Sequence, residues 1–402
     1  MKAIYIIDAC RTAVGKYGGA LSHVRPDDLM ASTITALMER NPQIPAEAIE
    51  EVIAGAANQS GEDNRNVARM AALLAKLPVS VAGVTVNRLC ASGLQAIIDG
   101  YRAIRCEEGE IFITGGVESM TRAPFVMAKS EQPFGRLPDF FDTTFGWRFT
   151  NPALSALHHP YIMGETAENL ADKYSISREE QDQFAYESQS KWKNAQELQK
   201  FNAEIIPVRL PAVKKGAEPV IFQTDEHPRL SALEQLALLK PAFRKEGSVT
   251  AGNASGINDG AAALMLASED AVKKYNLKPL ARIVAAAHAG VDPAIMGIGP
   301  VPAIQKALSR AGLKLQDIGL LELNEAFAAQ VLACHRELNF DMNILNVNGG
   351  AIAIGHPLGC SGARITTTLL HEMQRRPDVK YGIASMCIGV GQGSALIIEN
   401  MQ

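Results

Sequence analysis

The 402-residue chain carries 39 lysines and arginines against 43 aspartates and glutamates, a formal charge of −4, with 47% hydrophobic and 20% charged residues. It is too long for one ordinary core and too apolar for disorder, so two or three globular domains are expected. No block of five or six like charges occurs, which argues against nucleic acid or an anionic membrane as partner; a polyanionic ligand would have to be met by local basic groups and backbone N–H donors.

The N-terminal stretch MKAIYIIDACRT is shorter in apolar length than a signal-peptide core and is broken by Asp8 and Arg11. No run of about 20 apolar residues follows, and the C-terminal IIENMQ carries no address signal, so a soluble, cytoplasmic protein is expected. The pattern then predicts a strand at 2–9, a helix at 26–40, a strand at 51–57, a helix at 64–76, a strand at 83–87, a helix at 91–104 and a strand at 110–116. In the third helix Leu94, Ile97, Ile98 and Tyr101 share one face. A similar order returns as strand 280–287, helix 302–312, strand 318–324, the helical EAFAAQVLACHREL, strand 343–348, helix 361–373 and strands 381–387 and 393–399. The run 261–267 is the counterpart of the last strand in the first half.

Alternating strands and helices predict an α/β protein with mainly parallel sheets and helices on their faces. The match between halves predicts two similar domains. It is sharpest at CASGLQAI, which begins at Cys90, and GCSGARIT, which begins at Gly359. Aligned on Ser-Gly, Cys90 falls opposite Gly359 and Cys360 opposite Ala91, which makes Cys360 a poor nucleophile. The expected domains are 1–120 completed by 251–271, an inserted segment 121–250 lying over the site as a cover, and 272–402. The insert contains PFGRLPDFFDTTFGWRFTNP and a charged helical stretch, with basic residues at Arg178, Lys191, Lys193, Lys214, Lys215 and Arg229.

Six cysteines are spread without CxxC or zinc-finger spacing, so free thiols are expected and no metal site. Cys90 follows a strand and opens a helix, a place where open α/β sheets bind ligands and where a helix N-terminus favours a thiolate. Burial as structural packing is the rival reading. His356, between Gly355 and Pro357 in a loop joining strand to helix, can take a proton from a thiol; a satisfied loop histidine is its rival. Cys387 ends a strand, and Gly389, Gly391 and Gly393 follow, which suggests backbone N–H groups aimed at a ligand oxygen. GVGQG lacks the full dinucleotide fingerprint. Asn324 and Glu325 sit where a strand gives way to a helix; Asn324 suits an N-cap or the positioning of a water or oxyanion. All four positions lie at carboxyl ends of predicted strands and can converge on one pocket.

NRLCASG, NEAFA, NVNGGAIAIGHPLGCSGAR, CIGVGQG and VTAGNASGINDGAAA together resemble the thiolase family along essentially the whole chain. The resemblance implies two similar βαβαβαββ domains packed in layers, an inserted loop domain, and a dimer or tetramer. It implies that Cys90 carries the acyl group, His356 activates Cys90, and Cys387 acts as acid and base at the carbon α to the thioester. The N–H groups of Cys90 and Gly389 would form one oxyanion hole; His356 and a water held by Asn324 would form the other. Ser255 and Arg229 would contact coenzyme A, a substrate rather than a bound cofactor, and Met163 and Phe327 would line the substrate pocket. The stretch FFDTTFGWRFTNP resembles 3-oxoadipyl-CoA thiolases, whereas MGETAEN is common in other thiolases, including acetoacetyl-CoA enzymes. A medium-chain 3-oxoacyl-CoA is a further alternative. A dicarboxylic acyl chain would want a cation, for which Arg148 and Arg122 are candidates against surface pairing. A condensing enzyme of the ketosynthase type would not need the second cysteine, and a non-catalytic acyl-CoA binding protein would not need all of Cys90, Asn324, His356 and Cys387.

Overall fold

The apolar run at the N-terminus forms strand β1 (Ile4–Thr12) at the middle of the molecule, and the rest of the chain is laid out on either side of it in a computed structural model that describes residues 2–130, 133–135, 139–211 and 219–402. The first half continues as α1 (Pro26–Arg40), β2 (Glu51–Gly55), α2 (Val67–Leu74), β3 (Ala82–Val86), α3 (Ser92–Arg105) and β4 (Ile111–Ser119). The inserted region holds a small hairpin of β5 (Phe125–Met127) and β6 (Phe140–Asp142), then helices α4 (Pro152–Leu157), α5 (Met163–Tyr174) and α6 (Arg178–Glu197). The chain returns to the sheet as β7 (Asn258–Ser268). The second half follows as β8 (Ala281–Gly290), α7 (Pro300–Ala311), β9 (Ile318–Leu323), α8 (Ala328–Leu338), α9 (Leu358–Arg375), β10 (Tyr381–Ile388) and β11 (Gln392–Asn400).

The long strands run in the order β9-β10-β11-β8-β1-β7-β4-β2-β3. The expected mainly parallel sheet is corrected here. Among these long strands only β2 with β3, β2 with β4, and β9 with β10 are parallel. The centre, from β4 through β7, β1, β8 and β11 to β10, is antiparallel. In the second half β10 and β11 are joined by a tight turn, which requires them to run antiparallel; in the first half β7 comes back through the long insert and enters antiparallel to β4 and β1. The expected strand at 343–348 is also corrected. It is a 3₁₀ turn at Met342–Ile344 and a single parallel bridge between Leu321 and Leu345, because Asn346 uses its side chain on the main chain of Leu323 (2.8 and 2.9 Å) in place of a ladder.

Helices α3 and α9 lie at the centre. Leu94, Ile97 and Ile98 of α3 meet Ile365 and Leu369 of α9 in one core that also takes in strand residues of both halves, such as Phe112 and Leu396. Two further cores sit outside, one under α1 and α2 and one under α7 and α8. The result is layered: outer helices, strands, central helices, strands, outer helices. Small residues let the central helices touch. A Cβ at Gly93 would lie 2.6 Å from the carbonyl oxygen of Gly359, and one at Gly362 would lie 2.3 Å from the nitrogen of Leu94. The Ser-Gly pairs that align the two halves are therefore the contact between them.

Candidate active site

Cys90 follows β3 in the turn Asn87–Ala91, held by Ser92, whose hydroxyl accepts from the N–H of Arg88 (2.9 Å) and donates to the carbonyl of Leu89 (2.6 Å). Leu89 has a positive φ of 47°, a conformation leucine rarely adopts, and it turns the next side chain toward the second half. The thiol is half-buried. Burial pushes it up, and the N–H groups of Gly389 and of Cys90 itself, both aimed at the sulfur, draw it back. Position at a helix start does not outweigh burial here, so the resting group is a thiol.

Cys387, at the end of β10, is 1% exposed. Burial, and next the neighbouring Cys90, push it well above the ordinary thiol range. The two sulfurs therefore approach each other from the two halves. A Cβ at Gly389 would lie 3.3 Å from Leu89 and 3.4 Å from the sulfur of Met163, so both side chains pack closely over this glycine.

His356 is 6% exposed, and burial, followed by the charge of Arg364, pushes it down to about 3, so the imidazole is neutral. Its tautomer follows from the neighbouring hydroxyl. Ser361 Oγ donates to the carbonyl of Pro357 (2.8 Å), so toward His356 Nδ1 at 2.6 Å it can only accept. Nδ1 carries the proton and Nε2 keeps a lone pair. Asn324 Nδ2 lies 3.4 Å from that Nε2. Asn324 does not cap a helix, since α8 starts at Ala328 with Phe327 at its N-cap; its buried Oδ1 has no hydrogen-bond partner among the described residues. Glu325 anchors the loop instead, accepting from Ser188 Oγ (2.7 Å), Asn346 Nδ2 (2.8 Å) and the N–H of Ile352 (3.1 Å).

Apolar side chains close one side. Met163 and Phe243 pack with Phe327 and Cys387 in a small cluster, and the rings of Phe243 and Phe327 meet edge to face at 6.1 Å. Ser255 lies beside this cluster, its N–H donating to the carbonyl of Ala326 (3.0 Å). Arg229 is exposed and donates to the carbonyl of Ala251 (2.6 Å), four residues before Ser255.

Several sequence candidates lie elsewhere. Cys360 is 1% exposed in the central core and is pushed by burial to about 12. Arg122 is engaged by Glu62 (2.7 Å) and the carbonyl of Ser22 (2.8 Å). Arg148 is half-buried and, among the described residues, has no carboxylate partner. Arg178 pairs with Asp182 (2.7 Å), Lys193 with Glu197 (3.9 Å), and Lys191 donates to the carbonyl of Leu345 (2.9 Å). Lys214 and Lys215 lie outside the described residues. Ser361, Asn258 and Phe243 were not singled out by sequence reasoning. Ser361 carries its signal inside GHPLGCSG, and Asn258, which accepts from the N–H of His356 (2.9 Å), inside GINDG. Phe243 carries none, because its contact is long-range.

A thiol with fixed N–H donors for an oxyanion and a neutral imidazole beside it defines an enzyme of acyl transfer through a thioester. The model of the thiolase N-terminal domain matches residues 4–270 and that of the thiolase C-terminal domain residues 277–400. The chain belongs to the thiolase family and is an acyltransferase. It is 56% identical to a beta-ketoadipyl-CoA thiolase of Acinetobacter baylyi, across 100% of both chains. It is 54% identical to the 3-oxoadipyl-CoA/3-oxo-5,6-dehydrosuberyl-CoA thiolase of Escherichia coli, again across 100% of both. Its fold matches that of human mitochondrial 3-ketoacyl-CoA thiolase in complex with CoA at a TM-score of 0.91 and 44% identity, covering 100% of this chain and 98% of that one.

Proposed function

We propose that the chain cleaves 3-oxoadipyl-CoA with coenzyme A to succinyl-CoA and acetyl-CoA, reversibly, through an acyl-Cys90 intermediate. The observation that carries the mechanism is the meeting of Cys90, Cys387 and the Gly389 N–H. The Cys90 thiol gives its proton to His356 Nε2 as its sulfur attacks the 3-oxo carbon. A neutral imidazole held at about 3 makes a poor resting cation, so this transfer accompanies attack and does not precede it. The N–H groups of Cys90 and Gly389 hold the oxyanion. When the C2–C3 bond breaks, its electron pair enters the thioester enolate, and Cys387 protonates C2. The enolate oxygen is met by the protonated His356 Nε2 and by a water on Asn324. Cys387 then takes the proton of coenzyme A, whose sulfur attacks the acyl-enzyme; the Cys90 thiolate leaves and takes back its proton from His356.

The inserted segment 121–250 acts as the cover, a reading supported by Met163 and Phe243 packing beside Cys387. Ser255 and Arg229 contact coenzyme A. Arg148 meets the distal carboxylate. Its neighbour Trp147 donates to the carbonyl of Tyr161 (3.0 Å), two residues before Met163, and the guanidinium has no described ion-pair partner. The molecule works as a dimer or tetramer in the cytoplasm. The open edge of β3, with exposed Val84 and with Leu73 and Leu74 beside it on α2, supports assembly. The test is kcat/KM for coenzyme A-dependent cleavage of 3-oxoadipyl-CoA, acetoacetyl-CoA and 3-oxooctanoyl-CoA side by side. Preference for the first supports the proposal; preference for either monocarboxylic substrate removes the specificity reading.

A further inference from the structure

Glu118 stands in β4 with a side chain that is 2% exposed. Its carboxylate faces three backbone donors. Oε2 accepts from the N–H of Gly359 (2.7 Å) and of Ala57 (2.9 Å), and Oε1 accepts from the N–H of Asn58 (3.1 Å). Each donor leads to a different part of the site. Gly359 is three residues beyond His356, in the turn that opens α9. The carbonyl of Ala57 accepts from Asn87 Nδ2 (2.9 Å), and Asn87 Oδ1 accepts from the N–H of Leu89 (2.8 Å), the residue before Cys90. That last bond helps hold the left-handed conformation of Leu89. Asn58 Nδ2 donates to the carbonyl and hydroxyl of Thr143 (2.9 and 3.1 Å), within the DTT stretch of the inserted segment.

We infer that Glu118 is a positioning residue that locks the nucleophile turn, the histidine turn and the DTT stretch of the insert into one register. The parts it joins come from both halves and from the insert, and none of them shares a ladder with another at these points. A carboxylate suits the place because it accepts only, at both oxygens, and charge strengthens each bond. An amide of the same shape cannot do this: with its oxygen toward Gly359 and Ala57 it turns an NH₂ group against the N–H of Asn58. Small errors in placing two reacting groups are costly in rate, so the effect belongs in kcat more than in KM.

The inference rests on Cys90 being the nucleophile, and the experiment separates the two. Wild type, Glu118→Gln, Asn87→Ala and the double variant are treated with iodoacetamide, the labelled peptide is mapped, and kcat, KM for coenzyme A and melting temperature are recorded. Glu118→Gln is expected to lower kcat and the Cys90 labelling rate by about tenfold or more, with KM changed by less than about twofold. Asn87→Ala, which cuts only the arm to Leu89, is expected to slow labelling with little change in melting temperature. The double variant is expected to label no more slowly than Glu118→Gln alone. Glu118→Gln labelling and turning over at wild-type rates overturns the inference, as does strict additivity in the double variant. If Glu118→Gln does not fold, Asn87→Ala decides alone: unchanged labelling and kcat overturn it. Wild type that loses activity without labelling at Cys90, the exposed Cys106 being set aside, overturns the assignment of the nucleophile instead.

Discussion

Ser361 Oγ and His356 Nδ1 are 2.6 Å apart, with the hydroxyl proton already committed to the carbonyl of Pro357. The serine thereby chooses the tautomer of the histidine. Ser361→Ala removes the acceptor and leaves a buried N–H without a partner, so either tautomer becomes accessible. The expected result is loss of at least about tenfold in kcat, part of the roughly 10²–10⁴-fold that a positioned base supplies. Steady-state kinetics checks this; an unchanged kcat would show that the tautomer is set by something else.

In the proposed mechanism Cys387 carries the carbon acid chemistry and not the acyl group. Cys387→Ala is expected to keep transfer of an acetyl group from acetyl-CoA to Cys90, visible by peptide mass spectrometry, while cleavage of 3-oxoacyl-CoA falls by about 10²-fold or more. Cleavage at the wild-type rate would sink the role given to Cys387.

Arg148 and Arg122 differ in what they already hold. Arg122 is bound to Glu62, whereas Arg148 has no described carboxylate partner. Arg148→Gln is expected to lower kcat/KM for 3-oxoadipyl-CoA by about tenfold, the loss of one charge-assisted contact, and to leave acetoacetyl-CoA nearly unaffected. Equal losses on both substrates would remove Arg148 from acid recognition.

Stability should depend on pH with a definite sign. Burial holds His227 and His288 at about 4 and His356 at about 3, against an ordinary 6.5. As pH falls below 6.5 the unfolded chain takes up protons that the folded chain refuses, and stability is lost. Burial raises Glu322 to about 8, against an ordinary 4.5; Glu118 is also pushed up by burial, but both its oxygens face N–H donors and leave no acceptor for a proton, so it keeps its charge. Glu322 keeps a proton in the folded chain that the unfolded chain releases, so its stability is lost as pH rises toward 8. The two effects partly cancel between 4.5 and 6.5. The melting temperature is therefore expected to peak at about pH 6, decline gently to about 8 and fall steeply below about 4.5. A scan rising steadily from 6 to 8 would contradict this account.

Three of the four loops were legible because Cys90, Asn324 and Cys387 stand at or just beyond strand ends; His356 follows no strand and was legible through its setting between Gly355 and Pro357. The two halves were legible through the repeated Ser-Gly, whose purpose, close contact of α3 with α9, appears only in the packing. Strand direction was not legible: alternation of element types does not say that the eighth element of each half runs backward. Asn324 was ambiguous as a cap because cap and oxyanion ligand demand the same residue at the same kind of junction. Glu118 acts through partners 60, 61 and 241 residues away, and Phe243 through the distant Phe327; no local spacing records such contacts.

The repeated halves also explain why one molecule bears one acyl carrier. Gly359 occupies the place that corresponds to Cys90, and a Cβ there would lie 2.5 Å from the carbonyl oxygen of Val117 and 2.8 Å from the Cα of Ala56. No side chain fits, whatever its chemistry. With the two halves packed helix against helix, the second has no room for a nucleophile at this position, and in the proposed mechanism it supplies His356 and Cys387 instead. Division of labour between the duplicates is thus a matter of space before it is one of reactivity.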